Sequence, residues 1–240
     1  EMQMPFMGMY GACSTMALSM ATASVLAESG AINYAVASTS SHFASAERQF
    51  RLPLEYGGQR PPAAQRTATA SGASVITSHR ENTPCIEACI FGKITDLGIK
   101  DANNMGAAMA PAAYNTIKAH FNDFSVGPDA YDLIITGDLG QIGKELLMEL
   151  AKRDGLSIGG KLTDCGTLIF DNTHQDVHSG GSGCGCSAIT LCGYFLNKLR
   201  SKSLKSILFC GTGALLSPTS TQQGLPIPGV CHAVAITGGK

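Results

Sequence analysis

The chain has 240 residues, of which 44% are hydrophobic and 15% charged, and its formal net charge is −1. This composition supplies a sizeable core for one large or two modest domains, and the scattered lysines and arginines exclude a basic surface for nucleic acid or an anionic membrane. No apolar run reaches the roughly 20 residues that a membrane-spanning helix needs.

Small residues and free thiols set the expected fold class and compartment. The chain contains 28 glycines, no tryptophan and only 6% aromatic residues, which favours close packing of helices on sheets and therefore an α/β protein. Its nine cysteines are an odd number spread through apolar or glycine-rich segments. They predict reduced thiols in a reducing compartment rather than a disulfide framework.

The first third of the chain predicts a strand at residues 4–9, a turn at 11–15 and a helix at 16–29. Two buried strands are expected at residues 31–38 and 73–77. The polar stretch between them, residues 40–69, is long for a loop inside a compact α/β protein, and loops of that length are usually functional.

A second α/β unit is predicted after residue 84. Its expected elements are a helix at 105–121, a strand at 131–136, an amphipathic helix at 141–153, a hairpin-like region, a glycine-rich turn at 179–185, a helix reaching about 199 and a strand at 206–210. Strands and helices thus alternate in both units, which favours two related α/β layers.

The opening of the chain is unusual. The sequence begins directly in a predicted core strand, and six of its nine methionines lie within the first twenty residues. We therefore expect that an N-terminal portion of the first unit lies outside this chain.

Cys13 is the first candidate for chemistry. It lies on a predicted turn between a strand and a helix, where the helix dipole and free N–H groups favour a thiolate, as in a nucleophile elbow. Spacing alone favours a small cysteine buried under the helix.

Seven segments together resemble the stage V sporulation protein AD family. They are GACST at 11–15, ASTSSHFASAERQFR at 37–51, LEYGGQRP at 54–61, DLGIKDANNMGAAMAPAA at 96–113, DLIITGDLG at 132–140, GGSGCGCSA at 180–188 and TGALLSP at 212–218. The resemblance runs from residue 4 to residue 236, and several of these motifs are long and unusual in composition.

The resemblance implies a thiolase-like fold, in which two related α/β halves form five layers ordered αβαβα. Residues 1–84 would be the remainder of the N-terminal half and residues 85–240 the C-terminal half. It also implies binding of dipicolinic acid, the pyridine dicarboxylate stored with calcium in endospores, and assistance in its uptake into the developing spore. The implied partners are membrane proteins of the same sporulation operon and a second copy in a homodimer. The implied location is the cytoplasmic side of the inner forespore membrane, at its periphery.

Condensing enzymes of this fold need a cysteine nucleophile, a histidine, and a further histidine or asparagine. Cys13 matches the nucleophile. The histidine that follows the strand at 131–136 is replaced by Gly137 and Asp138, and the glycine-rich turn offers glycine or Ser182 instead of asparagine. We therefore predict a binding protein. An acyltransferase using Cys13 with an unconventional base such as His42, and a scaffold with a vestigial cleft, remain alternatives.

A dicarboxylate needs cationic groups or helix N-termini and an apolar slot. Arg48 and Arg51, three residues apart, fit this need, although surface ion pairs with Glu47 or Glu55 explain them equally well. Glycine-rich turns at 180–185 and 211–213 would allow close approach of the backbone. The predicted ligand-binding residues are Cys13, His42, Arg48, Arg51, Asp138, Ser182 and Ser217.

No metal site, cofactor or nucleic-acid partner is predicted. Cys184 and Cys186 are spaced too closely for a zinc ribbon, and His174 with His178 completes no known ligand pattern. Calcium would enter only with its dicarboxylate ligand.

Overall fold

The computed structural model describes residues 3–45, 60–78 and 81–239. Its strands are β1 (Ala35–Ser41), β2 (Arg66–Thr67), β3 (Ala70–Ile76), β4 (Cys85–Ile90), β5 (Leu133–Thr136), β6 (Leu162–Asp164), β7 (Gly181–Ser182), β8 (Ser206–Ala214) and β9 (Gly229–Thr237). Its α-helices are α1 (Thr15–Glu28), α2 (Met105–Asp123), α3 (Gly140–Arg153), α4 (Cys165–Leu168), α5 (Cys184–Thr190), α6 (Leu196–Arg200) and α7 (Pro218–Gln222). A π-helical turn, Leu191–Phe195, joins α5 to α6.

A five-stranded mixed sheet forms the centre of the molecule, in the order β4-β9-β8-β5-β6. β5 runs parallel to β6 and β8, whereas β9 runs antiparallel to β8 and β4. Strands buried on both faces read as continuous apolar runs, and β8 and β9 are buried along almost their whole length. β9 and β4 were not among the strands predicted from sequence.

The two faces of this sheet belong to different hydrophobic cores. Because successive side chains of a strand point to opposite faces, Ile134 contributes to the core under α2 and α3, and its neighbour Ile135 to the core that contains α1, α5 and α6. α1 has no charged residue before Glu28, and its hydroxyls at Ser19 and Thr22 donate to the helix's own carbonyls, as suits a helix packed between two layers.

β1 and β3 form a separate antiparallel pair, which packs on α1 and α5. Its inner face carries the buried residues Ala37, Thr39 and Ser41, while Val36 and Val75 face solvent directly opposite each other. The layers among the described residues are therefore α2 with α3, the five-stranded sheet, α1 with α5 and α6, and the β1–β3 pair. Both predicted halves supply residues to the second core, and the boundary near residue 84 stays a prediction.

Three local predictions were wrong. Residues 4–9 form no strand, and Phe6 is 95% exposed, because a strand requires a hydrogen-bonded neighbour and the part of the chain that the structure describes offers none here. Residues 211–213 are not a turn: they continue β8 in register with β9. The region after α3 pairs β6 in parallel with β5 and is not a hairpin. The other predicted helices and strands are present with shifted ends.

Candidate functional site

Cys13 occupies a tight turn immediately before α1. The amide of Ser14 donates to the carbonyl of Gly11 over 3.0 Å, and Ala12 takes the left-handed conformation at φ 49°. Left-handed backbone is costly for a residue with a Cβ, and such strain persists only where surrounding contacts enforce it. The predicted elbow is present, with Cys13 half-buried at the N-terminus of a fourteen-residue helix.

Glycines of β8 let this elbow lie directly on the sheet. A Cβ at Gly213 would lie 2.5 Å from the carbonyl oxygen of Gly11, and one at Gly211 would lie 2.7 Å from the Cβ of Ala17. The predicted role of these glycines was to present backbone to a ligand. In the structure, the lack of a side chain at these glycines lets the turn that carries Cys13 pack against β8, which explains why glycine occupies both positions.

Asp138 is fully buried beside the elbow and accepts four hydrogen bonds. Gly183 N donates to Oδ2 over 2.9 Å, the hydroxyl of Ser182 to Oδ2 over 3.1 Å, and the hydroxyl of Thr212 to Oδ1 over 2.9 Å. The thiol of Cys13 also hydrogen-bonds to this carboxylate. We call these five residues the Asp138 cluster.

Burial raises the pKa of the Asp138 carboxyl to about 6. The hydrogen bonds from Gly183, Cys13 and Thr212 offset part of this rise, and the like charge of Asp164 adds to it. Throughout the described ranges, no ion pair involves either carboxylate. The cluster is thus an anionic centre stabilised by neutral donors.

Asp164 was not singled out from the sequence, and its hydrogen bonds explain why a carboxylate is buried here. Its carboxylate accepts from the amides of Leu139 and Gly140, at 2.8 and 3.1 Å, and also from the Thr167 amide and the Thr136 hydroxyl. It thereby caps α3 and α4 together. Burial raises its pKa as well.

Gln65 ties the Asp138 cluster to the glycine-rich turn, by which we mean residues 180–185. Its side-chain amide donates to the carbonyls of Asp138 and Gly181, over 2.8 and 2.9 Å. The sequence placed Gln65 within a polar loop with no local pattern to single it out. Contacts this distant along the chain follow only from the tertiary fold.

A second feature is an open cleft of about 450 Å³ at the end of the β1–β3 pair. The residues that line it are Ser40, Ser41, His42, Ser45, Thr69, Ala70 and Ser71. Five of these seven side chains carry a hydroxyl. His42 is exposed, and its Nδ1 accepts from the amide of Ala44, which is the local arrangement expected of a histidine at a strand end.

The glycine-rich turn connects the cleft to the Asp138 cluster. Gly185 N donates to the hydroxyl of Ser41 over 3.0 Å, the thiol of Cys184 donates to the carbonyl of Ser40 over 3.1 Å, and the hydroxyl of Thr39 donates to the carbonyl of Cys184 over 3.0 Å. The same turn contributes Ser182 and Gly183 to the cluster. The two features therefore share one backbone segment.

The structure brings three of the seven predicted site residues together, namely Cys13, Asp138 and Ser182. His42 lies in the cleft instead. Ser217 is exposed and caps α7, where its hydroxyl oxygen accepts from the amide of Ser220. Arg48 and Arg51 lie outside the described residues. The ligand-binding role of all seven stays a prediction.

The two histidines that the sequence analysis considered and rejected as metal ligands contact aspartates. His174 pairs with Asp171 and His178 with Asp176. Within residues 3–45, 60–78 and 81–239, no group of three or more His, Cys, Asp and Glu side chains is placed to hold a metal ion. Over the same ranges, no helix is both long enough and apolar enough to cross a membrane.

Comparison with known proteins decides the family. The family described as Stage V sporulation protein AD (SpoVAD) matches residues 1–237. The chain belongs to the SpoVAD family. It is 47% identical over 234 residues to stage V sporulation protein AD of Bacillus subtilis (strain 168), an alignment that covers 98% of this chain and 69% of that protein. The resemblance predicted from the seven motifs is confirmed.

Solved structures similar to this SpoVAD chain include a condensing enzyme and a 3-oxoacyl synthase. AbyA1, a tetronic acid condensing enzyme, superposes with a TM-score of 0.59 and is 12% identical in sequence. 3-Oxoacyl-[acyl-carrier-protein] synthase III from Aquifex aeolicus VF5 superposes with a TM-score of 0.54 and is 12% identical. Xanthomonas campestris OleA bound with cerulenin superposes with a TM-score of 0.58 and is 15% identical. Each match covers 94% of this chain and 61–66% of the other. These likenesses show the fold alone, and the predicted thiolase-like α/β class is confirmed.

Proposed function

We propose that this chain binds dipicolinic acid, alone or as its calcium chelate, and assists its uptake into the developing endospore without catalysing acyl transfer. The observation that carries the proposal is the Asp138 carboxylate, which stands next to Cys13 where a condensing enzyme needs N–H donors.

Acyl transfer at Cys13 would need a thiolate and donors for the negative charge that develops on the carbonyl oxygen. Asp138 supplies neither, because an ionised carboxylate only accepts hydrogen bonds and stabilises the thiol form of its neighbour. The donors that surround it, Ser182, Gly183 and Thr212, already bond to its own oxygens. This arrangement supports binding over condensation.

The cleft supports a ligand of this chemistry. Its volume falls in the range of about 300–1,000 Å³ that is usual for small-molecule sites. The hydroxyls of Ser41 and Ser45 already donate to backbone carbonyls, so those of Ser40, Thr69 and Ser71 are the donors proposed for carboxylate oxygens. Ser45 is followed after two residues by the segment that carries Arg48 and Arg51. We propose that these arginines supply the bidentate contacts that two carboxylates require.

Family membership supports the wider role. Uptake into a spore requires partners that span its membrane, and we propose that they are membrane proteins of the same sporulation operon. The chain would then act at the cytoplasmic side of the inner forespore membrane, at its periphery, alone or as a homodimer.

Isothermal titration with dipicolinate, with and without calcium, tests the proposal. The variants are Arg48→Ala, Arg51→Ala and His42→Gln. The matched control is Arg153→Ala, which removes an arginine from the far end of α3. We expect saturable binding that the Arg48 and Arg51 changes each weaken about tenfold or more, as for a lost charged hydrogen bond, while Arg153→Ala leaves it unchanged.

Equal loss of affinity in Arg153→Ala would indicate a non-specific charge effect. No binding to a sample with a cooperative thermal transition would overturn the proposal and favour the scaffold alternative.

The acyltransferase alternative has one observation in its favour, the elbow that places Cys13 at the N-terminus of α1. Incubation with acyl-CoA and intact-mass analysis tests it. An acyl adduct on the wild type that disappears in Cys13→Ser would support transferase chemistry, and an unmodified mass would exclude it for the acyl chains supplied.

A further inference from the structure

Asp138 was predicted to contact ligand, but its position indicates a different role. Its side chain is completely buried, and its oxygens receive hydrogen bonds from the protein itself. A group in this state contacts no ligand in the cleft. Any effect on binding must be transmitted through the segment that it holds.

That segment is the glycine-rich turn. Gly183 N and the Ser182 hydroxyl hold it to Asp138, and Gly185 N and the Cys184 thiol hold it to Ser41 and Ser40 in the cleft wall. The two sets of contacts come from four consecutive residues, 182–185, so a shift at Gly183 reaches β1 directly.

Close packing leaves the turn little freedom to absorb such a shift. A Cβ on Gly185 would overlap the carbonyl oxygen of Ala70 in the cleft wall, and one on Gly183 would lie 2.8 Å from the hydroxyl of Ser41. The hydroxyl of Ser41 also donates to the carbonyl of Ala68 over 2.7 Å. Both strands that line the cleft therefore rest on the turn.

We propose that Asp138 is a positioning residue: its ionised carboxylate holds the glycine-rich turn against the cleft wall, so that protonation of Asp138 loosens the wall and lowers affinity for ligand. The part that concerns affinity rests on the proposed function, whereas the part that concerns the wall does not.

The physical reason is the fixed direction of the Gly183 amide. An amide N–H can only donate, and its bond to an ionised oxygen is about twice as strong as one to a neutral acceptor. A protonated Asp138 must also place its own O–H, for which the hydroxyls of Ser182 and Thr212 and the sulfur of Cys13 are the neighbouring acceptors. The contacts to the turn then weaken or rearrange.

No nearby charge of opposite sign opposes this change among the residues described. The titratable groups that face Asp138 are Cys13 in the elbow, Asp164 of β6, Cys165 of α4 and Cys186 of α5. Burial raises the pKa of both the Cys165 and Cys186 thiols well above the ordinary value, so these stay neutral. Asp164 is the remaining charge, and it favours protonation of Asp138.

The rate at which Cys184 is labelled tests, without any ligand, whether the cleft wall loosens. Its thiol is half-buried and donates to the carbonyl of Ser40, so a loosened wall frees it for a maleimide. Rates are measured at one pH by peptide mapping, with exposed Cys85 as the internal reference. We expect Asp138→Asn to label Cys184 about fivefold faster than wild type, and Asp164→Asn, which removes a buried carboxylate that does not bond to the turn, to stay within about twofold.

Ser41→Ala breaks the contact at the cleft end and leaves Asp138 intact. It should also label Cys184 faster, which keeps the test available if Asp138→Asn does not fold. Unchanged labelling in both folded variants would overturn the proposal.

Affinity for dipicolinate is then titrated from pH 5 to pH 8 in wild type, Asp138→Asn and Asp164→Asn, so that every group other than these two carboxylates is common to the proteins compared. We expect affinity to fall about tenfold toward pH 5 with Asp138 present and to change little in Asp138→Asn. In Asp164→Asn the fall should remain and move to lower pH. A flat profile with Asp138 present would overturn the link to affinity, and absence of binding in every variant would overturn the proposed function while the labelling result stands.

Discussion

The thiol of Cys13 and the carboxylate of Asp138 form a hydrogen-bonded pair at the centre of a thiolase-like fold. Cys13 comes from the elbow before α1 and Asp138 from the end of β5, 125 residues apart in sequence. The pair joins a potential nucleophile to a group that opposes its ionisation, since two neighbouring negative charges repel in a buried site. The elbow is thus present, and the group that hydrogen-bonds to its thiol is a carboxylate.

Reactivity of Cys13 should increase when the neighbouring charge is removed. Asp138→Asn keeps the size of the side chain but not its charge, so a larger fraction of Cys13 becomes thiolate at a given pH. Alkylation of Cys13 by iodoacetamide at pH 7.5 should be about three to ten times faster than in wild type. Peptide mapping resolves Cys13 from the other thiols. Equal rates at Cys13 in the two proteins would show that the carboxylate does not control the thiol.

Stability should depend on pH through Asp138. The pKa of this acid is about 6 in the folded chain against an ordinary 3.8, so between these values the folded protein binds more protons than the unfolded chain. The free energy of unfolding contributed by Asp138 therefore falls as pH rises from about 4 to about 6, by up to about 3 kcal/mol.

Urea unfolding of wild type and Asp138→Asn across pH 4–7 measures this contribution. The difference in free energy of unfolding, variant minus wild type, should grow in favour of the variant as pH rises. Asp164 contributes in the same direction, because burial raises its pKa also, and it is present in both proteins. A difference that stays constant with pH would contradict burial of an ionisable Asp138.

Gly213 should tolerate no side chain. A methyl group there would lie 2.5 Å from the carbonyl oxygen of Gly11 and would push the elbow away from β8. We expect Gly213→Ala to lower the free energy of unfolding by about 1–3 kcal/mol or more. Gly193, exposed in the π-helical turn with nothing within 4 Å of its added Cβ, is the control, and Gly193→Ala should be neutral or stabilising by up to about 1 kcal/mol. Similar losses at both positions would contradict the close approach at Gly213.

Replacing Asp164 should lower the free energy of unfolding far more than replacing an exposed aspartate that accepts a similar hydrogen bond. Asp164→Ala leaves the buried amides of Leu139 and Gly140 without acceptors, which should cost about 3 kcal/mol or more. Asp171 accepts from the amide of Thr173 over 2.9 Å at the surface, and Asp171→Ala should cost about 1 kcal/mol or less. Thermal and urea unfolding of both variants measures the difference. A small loss in Asp164→Ala would show that water replaces its contacts.

Several features could be predicted from the sequence alone, because they depend on neighbouring residues or on motifs that identify the family. The run from Met16 to the glycine at position 30 predicts α1, and the turn before it predicts the elbow of Cys13. The seven motifs led to the family and its fold. The absence of histidine at Gly137 and Asp138 was visible in the sequence.

Tertiary structure decided what those residues contact. Nothing near Thr212 or Gln65 in the sequence points to Asp138, because the sheet brings them together across more than seventy residues. The same reason explains the errors. Residues 4–9 have strand composition, but a strand exists only with a neighbour, and the glycines at 211 and 213 serve the packing of another segment. Local pattern determines which element a segment favours, whereas burial, pairing and the pKa of Asp138 depend on residues far away along the chain.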